Sequence, residues 1–259
     1  MSVKEIQLAE VTPERHSSWH VAKDASVVFA SMQHVVQVRA AEVVHAVCSF
    51  PLFLSRSAQS GQWLISAVTG LWPGQSLAVS DGIWRATFQP TSMLTYPFAL
   101  MKSSGGPRPW AIGMNEANPV FREGDGYALY EKDGRPSAYF DRIAKQLEAD
   151  IEFDIQTEQF LSYLVDNDYC KAVNINVHQD DGQVQTITGL HTLDEDRVQA
   201  LTPEQLGELN ERGYLAPMHA MLMSLFQLNT LVRLNNERDD NPTVQQIRLE
   251  LARDPGVHA

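Results

Sequence analysis

Two Asp-Gly dipeptides, each set between short runs of alternating apolar and polar residues, constrain this chain more than any other feature. A tight turn between antiparallel strands needs positive φ, which glycine adopts freely and aspartate tolerates. Asp81-Gly82 lies between residues 77–79 and 83–88. Asp181-Gly182 lies between a segment in which Val173, Ile175 and Val177 alternate with Asn174, Asn176 and His178, and the run 184–188. Both positions predict β-hairpins, so antiparallel pairing is expected.

The remaining periodicity divides the chain unevenly. Residues 1–25 read as a polar arm or edge segment, and 27–118 as β-rich, with strands over 35–39, 50–54, 63–68, 96–101 and 110–114. Ser103 to Pro109 has the composition of an exposed loop. Helices dominate from Ser137, a candidate cap for a helix with Phe140, Ile143 and Leu147 on one face. Thr157 is read as lying near the start of a second. The clearest start is Thr202-Pro203-Glu204-Gln205, a capping box with proline at its first helical position and a Leu201/Leu206 staple, ended by Gly213. A last long helix after Pro217 carries Met218, Met221, Leu222, Leu225, Leu228 and Val232 as one apolar stripe. The expected fold class is α+β: a β-rich N-terminal part with antiparallel hairpins and a helical C-terminal part packed on it. The expected organisation is a single domain over 1–236 and a charged tail over 237–259.

Composition narrows the function classes. The chain has 259 residues, with 32 acidic against 20 basic side chains and a formal net charge of -12. Phosphate neutralisation needs lysine and arginine, so nucleic acid and anionic membrane surfaces are excluded as expected partners. The charged N-terminus does not read as a signal peptide, no run reads as a membrane span, and a cytoplasmic location is expected. Cys48 and Cys170 form no CxxC and are expected to be reduced thiols; Cys170 as a nucleophile would need a base such as His178.

Several groups are candidates for chemistry. His16 and His20 have the i,i+4 spacing that places two imidazoles on one helix face, but the glutamate of HExxH is missing. His178 and Asp180 form an H-x-D pair, and an iron site would need a distal histidine such as His191 or His219. Glu42 and His45 would be neighbours on a helix. Asp125-Gly126 and Asp133-Gly134 read as turns, since the acids of a calcium loop are absent. No dinucleotide, P-loop, nucleophile-elbow or kinase motif is present. Trp63, Trp72, Trp84, Tyr96, Phe98 and Trp110 cluster in sequence. They are candidates to line a ligand-binding face with Glu42 and His45, or to form core.

The residues in Phe50-Pro51-Leu52-Phe53, Gly70-Leu71-Trp72-Pro73-Gly74-Gln75-Ser76, Gly82-Ile83-Trp84, Pro90 and Tyr96-Pro97-Phe98 resemble motifs of the bacterial SapC family. Glu123-Gly124-Asp125-Gly126, Leu129-Tyr130, Asp133-Gly134-Arg135-Pro136, the run 157–160 and Gly213-Tyr214-Leu215 also fit, so the resemblance covers roughly 15–236. Two positions depart from the pattern: Leu94-Thr95 stands where an arginine pair is usual, and Ser76 where asparagine is common.

The resemblance implies an accessory or binding protein in uptake or in peptide or amino-acid modification. Relatives occur beside TonB-dependent receptors, tryptophan halogenases and iron/2-oxoglutarate hydroxylases. The expectation is a non-enzymatic protein without cofactor that recognises a peptide or a protein partner, such as a halogenase, hydroxylase or receptor system. A metal-dependent oxygenase of the iron/2-oxoglutarate type is the alternative. A further alternative is a structural subunit, possible as a homo-oligomer, docking through the methionine-rich helix.

Overall fold

A computed structural model describes residues 8–58, 60–103 and 109–252, and most of the loop expected over 103–109 lies outside them. The chain forms two compact units, each built from separated stretches: 1–30 with 91–152, and 31–90 with 153–259. The class is α+β, with antiparallel sheets and packed helices.

The first unit holds two three-stranded antiparallel sheets. In one, Trp110–Met114 lies between Ala9–Glu10 and Phe98–Lys102. In the other, Trp19–Val21 is the central strand between Phe121–Glu123 and Tyr127–Ala128. The N-terminal segment, expected as a polar arm or edge segment, thus enters a sheet centre, and the stretch read as β-rich from residue 27 opens with a helix, Ala25–Ser31. Val21, Phe98, Met114, Leu129, Phe140, Ile143 and Leu147 form this unit's core.

The second unit is organised by a six-stranded antiparallel sheet. Its order is Val244–Leu251, Cys170–Gln179, Val184–Leu193, Leu52–Arg56, Trp63–Val68, Val35–Val38. Leu52, Phe53 and Leu54 are all wholly buried, so this strand has apolar cores on both faces. Leu52 and Leu54 belong to one core with Phe160, Met218 and Met221. Phe53 belongs to the other with Ile175, Leu228 and Leu231.

Both Asp-Gly turns form, in different ways. Asp81 and Gly82 both have positive φ, 52° and 67°, and join the two-residue strands Val79–Ser80 and Ile83–Trp84. At the second, only Gly182 does, with φ 86°; its N–H donates to the Gln179 carbonyl, and Gln179 N–H pairs with the Gln183 carbonyl. That is a three-residue loop with glycine in the left-handed position.

Three expectations are corrected. The two helices expected around Ser137 and Thr157 are one, Ala138–Asp166. No glycine or proline interrupts it, and Thr157 does not cap: its hydroxyl donates to the Phe153 carbonyl and accepts from Ala40 N–H. Conversely, the last long helix is two, Leu215–Ser224 and Gln227–Asn236. The first packs Met218 and Met221 into one core and the second packs Leu228 and Leu231 into the other. One straight rod cannot serve opposite faces of a sheet, and the chain bends at Leu225 and Phe226 through i→i+3 hydrogen bonds. Leu215–Asn236 taken together has the length and composition of a membrane span. Finally, the charged tail contains a strand, Val244–Leu251, because Val244, Ile247 and Leu249 fall on the face that covers the second core.

Candidate functional site

The Gly70–Ser76 loop is where sequence and structure concentrate the most specific contacts. Its ends converge: Thr69 and Gly70 N–H both donate to the His34 carbonyl, and Leu77 N–H donates to the Thr69 carbonyl. The backbone closes so tightly that a Cβ on Gly70 would lie 2.0 Å from the Gln75 carbonyl oxygen, so this position requires glycine. Gly74, at φ +77°, completes the turn at the exposed tip.

A network of amides fastens this loop to the chain after the last helix. Trp72 Nε1 donates to Asn235 Oδ1 at 2.7 Å, and Asn235 is wholly buried. Asn241 Nδ2 donates to the same oxygen at 2.8 Å, while Gln75 Nε2 donates to Asn241 Oδ1 at 2.8 Å. Asn235 Nδ2 donates to the Pro242 carbonyl and to Asn236 Oδ1. Asn236 holds Val244 at both its N–H and its carbonyl, which starts the edge strand. Arg238 closes the arrangement by donating to the Ser76 and Val79 carbonyls at 3.0 and 2.5 Å. Gln75 Oε1 is buried without a partner. Ser76, the departure from the family pattern, is buried, and its hydroxyl accepts from Ala78 N–H.

The other aromatic candidates are distributed. Trp63 and Trp84 pack on the first core of the larger unit, while Trp72 packs on its second. Trp84 Nε1 donates to the Phe88 carbonyl at 3.0 Å. Trp63 carries the Arg56 guanidinium over its ring at 4.4 Å and meets His191 edge-on at 4.7 Å. Tyr96, Phe98 and Trp110 belong to the smaller unit. Tyr96 stacks on Phe29 at 4.1 Å and its hydroxyl accepts from Asn118. Phe98 is core, against Phe121 and Phe140. Trp110 begins a strand opposite Lys102.

Glu42 and His45 lie in the short helical segments Ala40–Glu42 and Val43–Ala46. The Glu42 carboxylate accepts from Arg39 N–H at 2.8 Å, and His45 is exposed. Next to them, Arg39 Nε reaches Asp154 at 2.6 Å.

The metal candidates are also placed apart. His16 ends the short helix Pro13–His16, whereas His20 lies in the strand Trp19–Val21, so the helical spacing does not apply. His16 is wholly buried: Nδ1 accepts from Thr12 N–H at 3.1 Å and Nε2 donates to Glu116 at 2.9 Å. Arg15 holds the same carboxylate at 2.6 Å. Gly124 N–H approaches His20 Nδ1 at 3.2 Å. His178 faces Val184 and Gln246 across the sheet, and Asp180 is exposed in the hairpin loop. His219 is exposed on a helix. Among the described residues, no three or more His, Cys, Asp or Glu side chains are grouped to hold a metal ion.

Two titratable groups have clear environments. Burial pushes the Cys170 thiol up to about 12, which removes thiolate at neutral pH. His178, its proposed base, lies at the far end of the same strand, roughly 26 Å along it. Burial first, and the Arg56 charge second, hold His191 below its ordinary value, and its Nδ1 is buried without a partner.

Sequence reading missed the amides that fix the loop, because Asn235 and Asn241 lie far from it along the chain. It also passed over an apolar corner. Met223 and Phe226, at the bend between the last two helices, are 65% and 77% exposed. Gln227 beside them donates to the Val47 carbonyl, and Val44 on the neighbouring short helix is exposed as well.

Fold and site together define an antiparallel α+β protein whose signature loop is closed by backbone contact and pinned by an amide network centred on the buried Asn235. That loop belongs to a segment shared more widely: the SapC family model matches residues 11–231, and the chain belongs to the SapC family. No curated protein and no solved structure matches it.

Proposed function

We propose that this protein is a non-enzymatic accessory or binding protein that recognises a protein or peptide partner. The observation that carries the proposal is the exposed pair Met223 and Phe226. Large apolar side chains grouped on a surface mark interaction sites, because covering them releases ordered water. A bend between two helices holds both side chains on a rigid support, which lowers the entropy lost on docking. Trp72, Asn235, Asn241 and Arg238 are meanwhile engaged in holding the family's signature loop, and so serve as scaffold. In this reading the partner belongs to an uptake or peptide-modification system of the kind that SapC resemblance implies, acting in the cytoplasm.

The test is a double substitution, Met223→Ser with Phe226→Ser, in the full chain. Both residues are exposed, so the thermal unfolding midpoint should stay within a few degrees of the parent. Partners co-purifying with the parent should be lost. Retention of the same partners at the same yield refutes this docking site. Stoichiometric metal in the purified protein, with a turnover that depends on it, refutes the non-enzymatic reading.

A further inference from the structure

We propose that the strand Val244–Leu251 pairs antiparallel with the same strand of a second copy of this chain, about a twofold axis at Leu249. Among the described residues this strand is the outermost of the six and is bonded to Cys170–Gln179 on one side only. Ala252 N–H donates to the Ala172 carbonyl. Hydrogen-bonded pairs alternate along an antiparallel ladder. Glu250, Arg248 and Gln246 therefore turn their backbone groups toward the inner strand. Ile247, Leu249 and Leu251 turn theirs outward along the open edge.

An unprotected edge of this length is a template for another strand. No proline falls within 244–251, and the one irregularity in its pairing lies at the Val244 end. Leu251 is 67% exposed, although it follows Ile247 and Leu249 on the same side of the strand.

The strand's own sequence selects the partner and the register. A twofold pairing can centre on either kind of opposed pair, but centring on Arg248 or Glu250 sets a charge against its own copy and centring on Gln246 leaves both charges unopposed, so the choice falls among the odd-numbered positions. Centred on Leu249, the strand sets Ile247 against Leu251 and Arg248 against Glu250, each twice. Leu249 N–H and carbonyl exchange bonds with their own copies. Arg248 and Glu250 are then opposed in the narrow pairs, where side chains lie closest. Centring on Ile247 instead sets Arg248 against Gln246 and leaves Glu250 without an opposite charge. The register at Leu249 covers the exposed leucine and neutralises both charges.

Sedimentation velocity on the full chain, from about 1 to about 100 µM, tests this, since a small interface assembles in that range. The parent should dimerise. Arg248→Glu alone, or Glu250→Arg alone, turns two attractive cross-strand pairs into two repulsive ones. Each should raise the dimer dissociation constant on the order of tenfold or more. Arg248→Glu combined with Glu250→Arg should restore it. Both substituted side chains are exposed, and far-UV circular dichroism should show an unchanged fold in all three variants. A parent that stays monomeric, single reversals without effect, or a double reversal that does not restore the dimer would each overturn the proposal.

Discussion

Replacing Asn235 with leucine probes the loop anchor at nearly constant volume. The side chain makes four hydrogen bonds: it accepts from Trp72 and Asn241 and donates to Pro242 and Asn236. At about 1 kcal/mol net for each, the four bonds sum to about 4 kcal/mol. Pro242 is exposed, so water can replace the bond to its carbonyl. Three bonds then remain, or about 3 kcal/mol. Helix propensity moves the other way by only a few tenths, since leucine is a somewhat better helix former than asparagine. A net loss of ~2–3 kcal/mol is a large share of the ~5–15 kcal/mol typical of a folded domain. Urea unfolding followed by tryptophan fluorescence reads it, because Trp72 loses its partner directly. The two compact units can unfold separately, so the transition to fit is the one shared with probes in 31–90 and 153–259. A loss below about 0.5 kcal/mol would refute the claim that this amide anchors the loop.

Two further perturbations discriminate. Gly70→Ala places a Cβ 2.0 Å from backbone oxygen and should cost ~1–3 kcal/mol, whereas Gly74→Ala meets open space and pays only for its positive φ, ~1 kcal/mol. Equal costs in thermal unfolding would contradict the closed loop. For pH, His191 is held below its ordinary 6.5 by burial and then by Arg56, and burial also lowers His34. Below 6.5 the unfolded chain binds protons that the folded histidines resist, so the stabilisation present above 6.5 is lost as pH falls through the folded values. His191→Asn should flatten that slope in urea titrations from pH 8 downward, and an unchanged slope would refute the assignment.

The local chemistry of turns and caps was legible because it is short-range. Thr202 accepts from Gln205 N–H and the Gln205 side chain accepts from Thr202 N–H, as the capping box requires. Both Asp-Gly turns join antiparallel strands. Helix continuity was harder to read. The stretch 138–166 holds enough polar residues to look interrupted, but it contains no glycine or proline to break it, and the Thr157 hydroxyl is satisfied within the helix by the Phe153 carbonyl. The apolar stripe after Pro217 looked continuous because periodicity records only that residues are buried, not on which face.

For the candidate site, sequence proximity placed the aromatics together, whereas the fold assigns them to different cores. Two of their partners are remote: Trp72 donates to Asn235, and Trp63 meets the His191 ring edge-on. A single chain carries no record of such pairings, since each is decided by strand order and helix direction.

What the sequence determined by itself is the α+β class, the turns, the caps and the family, all of which depend on residues a few positions apart or on a shared motif. The tertiary structure alone decided that Gly70 must be glycine, because the clash is with Gln75 across a closed loop. It decided that residues 215–236 serve two cores, because a sheet buried on both faces needs cover on each. It also decided that the charged C-terminal stretch is an edge strand, because pairing with Cys170–Gln179 lays its Val244, Ile247 and Leu249 on the second core.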